Sequence, residues 1–246
     1  MKISIITVVF NGEKFLANCI QSVINQSYTN IEYIVIDGAS TDSTTIIIEK
    51  YRSKIHHFIS EPDKGLYDAL NKGLNLATGD VVGILNADDV FADNDVIEKV
   101  ANTFAQNPDV EGVYGDLNYL NADNGKIVRK WISKCSTYND LANGWMPAHP
   151  TLYLKKNLFN KYGNYSLQFG SAADYELMLR FLYLQQIQTV YLHILMVNMR
   201  LGGVSNKSLK AIILAFYYDY KALINNKIPN PLLAVLKKKL MKISQF

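Results

Sequence analysis

Ile3-Ser4-Ile5-Ile6-Thr7-Val8-Val9, running into Phe10-Asn11-Gly12-Glu13, is the stretch whose reading decides the fold. Placed directly after Met1-Lys2, it has the outline of a signal peptide. Ser4 and Thr7 interrupt it, it is short, and no small-residue cleavage site follows. Its β-branched residues fit a buried first strand instead. Working outward, Phe15, Leu16, Cys19, Ile20, Val23 and Ile24 recur at helical spacing. Ile31 to Ile36 reads as a second strand, Asp42 to Arg52 as a helix, and His57 to Ser60 as a short third strand. Leu66 to Ala77 repeats the helical spacing, and Val81 to Leu85 gives a fourth strand. Such strand–helix alternation predicts a parallel sheet covered on both faces.

After Asp89 the rhythm changes. A helix is expected from about Asp95 to Gln106, ending before Pro108. Shorter strands follow at Val110–Leu120, Lys126–Trp131 and His149–Leu154, then a helix at Ala172–Leu184 and a strand at Thr189–Val197. There is no repeat and no low-complexity linker. Residues 1–205 therefore read as one α/β domain with an α+β second half. Residues 206–246 read as a basic amphipathic tail of two helices separated at Pro229-Asn230-Pro231.

The 246 residues are 49% hydrophobic and 19% charged, enough to build one large core. Cys19 and Cys135 are too few and too distant for a disulfide framework or a zinc site, which fits a cytoplasmic setting. No apolar run approaches the ~20 residues that a membrane span needs. From Ser205 onward the chain holds eight lysines and one aspartate, a net +7 within a total of +3. An acidic body with a basic tail argues against nucleic-acid binding and for a localised anionic contact.

In open α/β sheets, ligands bind beyond the carboxyl ends of the parallel strands. Here those ends read Val9-Phe10-Asn11-Gly12, Asp37-Gly38-Ala39-Ser40-Thr41-Asp42 and Asn86-Ala87-Asp88-Asp89. Neither Gly-x-Gly-x-x-Gly nor a Walker A sequence follows the first strand, which makes hydride transfer and P-loop chemistry poor candidates. A carboxylate cluster without His or Cys partners suits Mg²⁺ or Mn²⁺, completed by substrate phosphates.

Several of these motifs together resemble the family 2 glycosyltransferases, and most of all their bacterial polysaccharide-assembly members of the colanic-acid type. They are Ile5-Ile6-Thr7-Val8-Val9-Phe10-Asn11, Val35 to Thr44, and Gly79-Asp80 leading to Leu85-Asn86-Ala87-Asp88-Asp89. The resemblance continues through Glu61-Pro62-Asp63-Lys64-Gly65-Leu66-Tyr67-Asp68, His149-Pro150, Ala173-Asp174-Tyr175-Glu176-Leu177 and Arg200-Leu201-Gly202-Gly203-Val204-Ser205. It implies an α/β, Rossmann-like GT-A nucleotide-diphospho-sugar transferase fold with a mostly parallel central sheet, plus C-terminal helices. It also implies inverting transfer from a nucleotide-diphosphate donor, expected to be a UDP-sugar.

In that resemblance Thr7 to Asn11, Val9 included, line the nucleotide pocket with Glu13, and Asp37 accepts a hydrogen bond from the base. Asn86 and Asp88 hold the two ends of the Asp-x-Asp motif, with Ala87 between them in the donor site. Asp88 would ligate the metal, Asp89 would do so directly or through water, and Asn86 would meet ribose or a metal-bound water. Asp174 is the expected base for the acceptor hydroxyl, and His149 falls near the donor sugar or metal. Arg200 with Gly202-Gly203, and Lys64 beside Gly65, are candidates for phosphate.

Plainer readings compete. Asp42 suits helix capping, and Asp37 belongs to the same turn. Ser171-x-x-Asp174 resembles a capping box. The Asn86–Asp89 stretch fits an exposed acidic turn, His149 a structural histidine, Arg200 a strand-ending turn, and Lys64 a solvated side chain.

The chain also departs from the family. Asp37-Gly38 stands where many members carry Asp-Asp, Ala69-Leu70-Asn71 lacks the usual arginine, and Asn86 replaces an aspartate.

The tail, with Leu232 to Leu236 meeting Lys237-Lys238-Lys239, suits either an anionic membrane surface or packing on the domain. The enzyme would then be peripheral on the inner face of the membrane, extending a saccharide or lipid-linked acceptor in surface-polysaccharide biosynthesis. The alternative is a non-catalytic nucleotide-sugar-binding or assembly subunit. A nucleotidyltransferase is a distant third, since Asn11-Gly12-Glu13 is a poor match to its phosphate loop.

Overall fold

The computed structural model describes residues 1–201 and 209–243. Its first strand, β1 (Ile3–Val9), is buried along its whole length. β1 pairs in parallel with β2 (Ile31–Asp37) on one side and β4 (Val81–Ile84) on the other, and β2 continues to β3 (His57–Ser60). The order β3-β2-β1-β4 places a topological switch point between β1 and β4. The covering helices are α1 (Leu16–Ile24), α2 (Thr44–Lys50) and α3 (Leu66–Leu76). α1 faces the sheet with Leu16, Cys19, Ile20 and Val23, a stripe at helical spacing with every member buried.

Past the acidic loop the sheet becomes mixed. β5 (Val90–Phe91) runs antiparallel to β9 (Thr189–Arg200), and α4 (Val96–Gln106) follows β5. β6 (Gly112–Leu120) is parallel to β9 and antiparallel to β7 (Ile127–Trp131) and β8 (Tyr153–Lys155). β8 joins this half to β4, so one sheet spans the molecule, and most of its paired length is parallel. The expected α/β architecture is the observed one.

Three local expectations change. The strand placed at His149–Leu154 begins only at Tyr153. Residues His149–Thr151 form a 3-10 turn instead, with Pro150 at its first positions, where a missing N–H costs nothing. The helix placed at Ala172–Leu184 divides into a helical turn and a π-helical turn, Ala173–Met178 and Leu179–Leu184. β5 and two short helices, α5 (Tyr138–Ala142) and α6 (Lys156–Tyr162), are too brief for periodicity to mark. With these placed, Ala173–Met178 is α7.

The tail forms α8 (Leu209–Asn225) and α9 (Pro231–Ile243), with the break at the expected prolines. Their inner side is built into the domain. Asp219 on α8 and Lys238 on α9 form a buried pair at 2.7 Å, and the ammonium lies 3.4 Å from the Tyr175 ring centroid. Asn226 is fully buried beside Glu176, and the Tyr218 ring sits where a Cβ on Gly170 would stand. The lysine triplet, expected to face either a membrane or the domain, has internal partners: Lys237 donates to Asn143, and Lys239 lies 3.6 Å from Asp219. The outer side still exposes Leu232, Leu233, Leu236 and Leu240. The border at residue 205 lies outside the described residues, as do Lys207 and the side chain of Lys242. No described helix is long and apolar enough to cross a membrane.

At the N-terminal end of the strands, Glu32 is buried and accepts hydrogen bonds from Ser4, from the backbone and hydroxyl of Thr78, and from Lys2. Burial alone would raise its carboxyl, but these donors outweigh it and hold it at about 2.

Candidate active site

The carboxyl ends of β1, β2 and β4 meet at the switch point. Asn11 leaves β1 with a positive φ of 50° and accepts the Thr41 N–H at Oδ1 (2.9 Å), while its own N–H donates to Ser40 (2.8 Å). Glu13 and Asp42 tie the same two loops together: Ser43 N–H donates to Glu13 and Glu13 N–H to Asp42. Asp42 also accepts the Thr44 N–H in the turn that leads into α2, although the cap position itself is Ser43, which makes no side-chain cap bond. Gly12 lies against Ala87 across the switch point.

Thr7 and Val9 do not reach this cleft with their side chains. Both are buried because the sheet is covered on both faces, and the Thr7 hydroxyl accepts from Tyr33 within the core. The strand end instead presents Phe10, 65% exposed, within the Thr7 to Asn11 stretch expected to line the pocket. An apolar residue at the point where a strand gives way to Asn-Gly was the available signal.

Asp37 stands at the end of β2 as expected, but its carboxylate is fully buried. It accepts from the Ser40 N–H and hydroxyl and from the Ser60 hydroxyl. Next to it, Gly38 leaves a notch that Asp63 fills from the loop after β3. A Cβ on Gly38 would lie 2.5 Å from Asp63 Oδ2 and 3.4 Å from the Phe10 ring.

Asn86-Ala87-Asp88-Asp89 leaves β4 and is fastened to the far half of the sheet. Asp89 is fully buried, with one oxygen accepting from the Asn86 amide (3.1 Å) and the other from the Arg200 N–H (3.2 Å). That arrangement braces the loop. Asp88 is the half-buried carboxylate. Burial raises both acids, and the Asp88 charge raises Asp89 further. Arg200 donates to the Asp88 carbonyl (2.7 Å), lies over Phe15, and offsets part of the charge on both aspartates. It ends β9 as a turn residue would, yet stands at the acidic loop. Gly202-Gly203 lie outside the described residues. Among the described residues no group of three His, Cys, Asp or Glu is gathered for a metal. The donor set still fits one hard cation: a single under-donated carboxylate at Asp88 leaves room for phosphate oxygens.

The other expected cations are less well placed. Lys64 is exposed, as its plainer reading held, and Lys72 donates to the Pro62 carbonyl and pairs with Glu61. Leu70, where the family's arginine would stand, is fully buried.

Asp174 opens α7 without forming a capping box, since the cap position is Ala172 and makes no side-chain bond. Its carboxylate accepts the Tyr175 N–H (2.7 Å). Around it stand Tyr67, Tyr165 and His149, joined by a 2.7 Å bond between His149 Nε2 and the Tyr165 hydroxyl. Burial raises both phenols, and Asp174 raises them further. Burial lowers His149 against the pull of Asp174, so the imidazole is neutral near pH 7. His149 thus belongs to the Asp174 side of the cleft. Tyr119 on β6 links the two sides: burial raises its phenol, Arg129 opposes this, and Asp89 and Asp174 both add to it.

Comparison with known proteins bears on the family and the fold. The family model "Glycosyl transferase family 2" matches residues 4–173. A PGL/p-HBAD biosynthesis glycosyltransferase of Mycobacterium bovis is 28% identical over 82% of this chain and 78% of its own. An uncharacterized glycosyltransferase of Mycobacterium tuberculosis is 33% identical over 72% of this chain and 68% of its own. S. aureus TarS 1–349, solved with UDP-GlcNAc, superimposes with a TM-score of 0.71 at 18% identity, covering 92% of this chain and 67% of that one. The chain spans 39% of the longer TarS structure. A mannosyltransferase from Pyrobaculum calidifontis, solved with GDP-Man and Mn²⁺, gives 0.66 at 16% identity, covering 97% of this chain and 68% of that one. At these identities the two structures speak for the GT-A-like fold.

Proposed function

The chain belongs to glycosyl transferase family 2, and from that premise we propose an inverting, metal-dependent transfer of sugar from a UDP-sugar to a hydroxyl of a saccharide or lipid-linked acceptor. Surface-polysaccharide assembly is the setting this reading gives it. The colanic-acid-type branch is a narrower proposal, supported by the sequence motifs alone. The non-catalytic alternative is not favoured, because a binder has no use for a second acidic pole. The observation that supports the proposal is the half-buried Asp88 beyond the carboxyl end of β4, with Arg200 donating to its carbonyl, in a chain whose residues 4–173 match the family model.

In this reading the base stacks on Phe10 and the diphosphate meets the Asp88 end of the loop. Asp88, with the donor phosphates, would hold a divalent cation, which would supply Lewis-acid neutralisation of the departing diphosphate. Asp89 and Arg200 hold Asp88 in place. Asp174 accepts the acceptor proton at a carboxylate oxygen as the hydroxyl attacks the anomeric carbon from the face opposite the leaving group. Tyr67, Tyr165 and neutral His149 wall that oxygen from bulk water.

A thermal-shift panel of nucleotide sugars with and without Mn²⁺ is the first test. A shift with UDP-sugars that needs Mn²⁺ is expected; no shift with any donor removes the reading. The exposed Leu232, Leu233, Leu236 and Leu240 favour peripheral contact with the inner face of the membrane through the tail. Flotation with anionic liposomes should weaken when these leucines become serine, and unchanged flotation would remove that contact.

A further inference from the structure

The chain on both sides of Asp174 is fastened to the tail. Before it, Lys221 on α8 donates to the Gln168 carbonyl (3.0 Å) and lies over the Phe169 ring. The Tyr218 ring fills the space beside Gly170, whose φ is 46°. After it, the buried Asn226 donates to Glu176 (3.4 Å), and Lys238 on α9 sets its ammonium 3.4 Å from the Tyr175 ring centroid. Lys238 is itself held by Asp219 on α8 at 2.7 Å, with both groups buried. Tyr175 links the tail to Asp174, because its backbone N–H donates to the Asp174 carboxylate (2.7 Å). Its hydroxyl is buried and has no hydrogen-bond partner among the described residues. The cation on its ring face is therefore the polar contact that fixes the ring.

Stability alone does not account for the ion pair. Withdrawing two charges from water offsets much of their attraction, and apolar side chains of similar volume often replace such a pair with no loss of stability. What the pair supplies, and leucine or methionine cannot, is a charge at a set point on an aromatic face. Burial lowers the pKa of the Lys238 ammonium, and the charges of Asp219 and Asp174 oppose this, so the cation also feels the carboxylate at the cleft.

We propose that Lys238 is a positioning residue: clamped by Asp219 and seated on Tyr175, it fixes where the Asp174 carboxylate stands, and the tail is thereby part of the transfer apparatus. This rests on Asp174 being the base, as proposed above.

Replacing the pair by apolar side chains, Asp219→Leu with Lys238→Met in the full chain, separates positioning from docking. The melting temperature should be unchanged or higher. Calorimetric titration with UDP in Mn²⁺ should give unaltered affinity and should count the competent sites. Single-turnover rate per competent site should fall by roughly tenfold to a hundredfold, the cost of a slightly misplaced reacting group. In the Asp174→Asn background the same pair should lower the remaining turnover no further, since a positioning residue acts only through the group it positions. Unchanged turnover in the pair, or a loss that simply multiplies that of Asp174→Asn, overturns the proposal. So does a pair that melts well below the unaltered protein, because the ions would then be a stability element. Full turnover in Asp174→Asn alone would remove the base reading beneath it, a separate and distinguishable failure.

Discussion

The parallel strands carry buried carboxylates at both ends, under opposite conditions. At the N-terminal end, Glu32 has four donors from Ser4, Thr78 and Lys2 and stays ionised down to about 2. At the C-terminal end, burial raises Asp88 and Asp89, the Asp88 charge raises Asp89 further, and Asp88 is the one left half-buried. Both ends belong to one sheet and one core. The difference shows where the fold has satisfied its charges internally and where it has left them for a ligand. An acid surrounded by protein donors stabilises the fold; one short of donors waits for a cation.

The largest effect should come from the pole opposite Asp88. Asp174→Asn is expected to lower turnover by roughly 10²–10⁴-fold while donor affinity stays within a few-fold. Single-turnover assays beside donor titrations measure both, and equal loss in the two would place Asp174 in binding.

Asp88→Asn sharpens the contrast most directly. Metal-dependent donor binding should fall at least about tenfold, near 1.4 kcal/mol. The melting temperature without metal should nevertheless rise, by roughly 2–4 °C for each kcal/mol of repulsion relieved. A fall in melting temperature would mean that the loop needs this charge for its own structure.

Glu32→Gln should do the reverse. It removes a satisfied ion, costing about 1–3 kcal/mol of stability in denaturant melts, and leaves turnover unchanged.

The smallest effects are in pH. Glu32 sits below its ordinary 4.5, so its contribution is complete above that pH and fades as pH falls toward 2. Thermal melts of the unaltered protein and Glu32→Gln should converge across that window. Asp88 and Asp89 are raised, so their cost grows as pH rises through their elevated values. The thermal shift produced by Mn²⁺ should therefore increase with pH across the acid range, and a flat response would count against ligation at Asp88.

Much of this arrangement was legible in sequence. Ile3–Val9 and its companion strands announced themselves because a sheet covered on both faces demands unbroken apolar runs. The chain order of strand ends then located the cleft before any coordinates. Side-chain direction was less accessible. Thr7 and Asp37 lie in motifs that touch the site, yet both turn inward, and period-two patterning cannot tell the faces of a doubly covered strand apart. Asp89 is adjacent to Asp88 but is committed to Asn86 and to the Arg200 backbone, a contact 111 residues away in sequence. The Tyr67–Tyr165–His149 cluster depends on three separate elements, so no local pattern could assemble it. The tail's basic, leucine-rich character was plain, but not that Lys238 would be buried against Asp219.

The shared volume at Gly38 and Asp63 has a consequence for descent. Two positions that contend for one space cannot vary independently, so substitutions there should be inherited as a pair. The order of change matters as well. A lineage that acquires aspartate at 38 while Asp63 remains must pass through two carboxylates in one notch. A lineage that first loses the carboxylate at 63 meets no such conflict. The second route is the easier one, and family members with an acid at both positions should show the loop after β3 displaced.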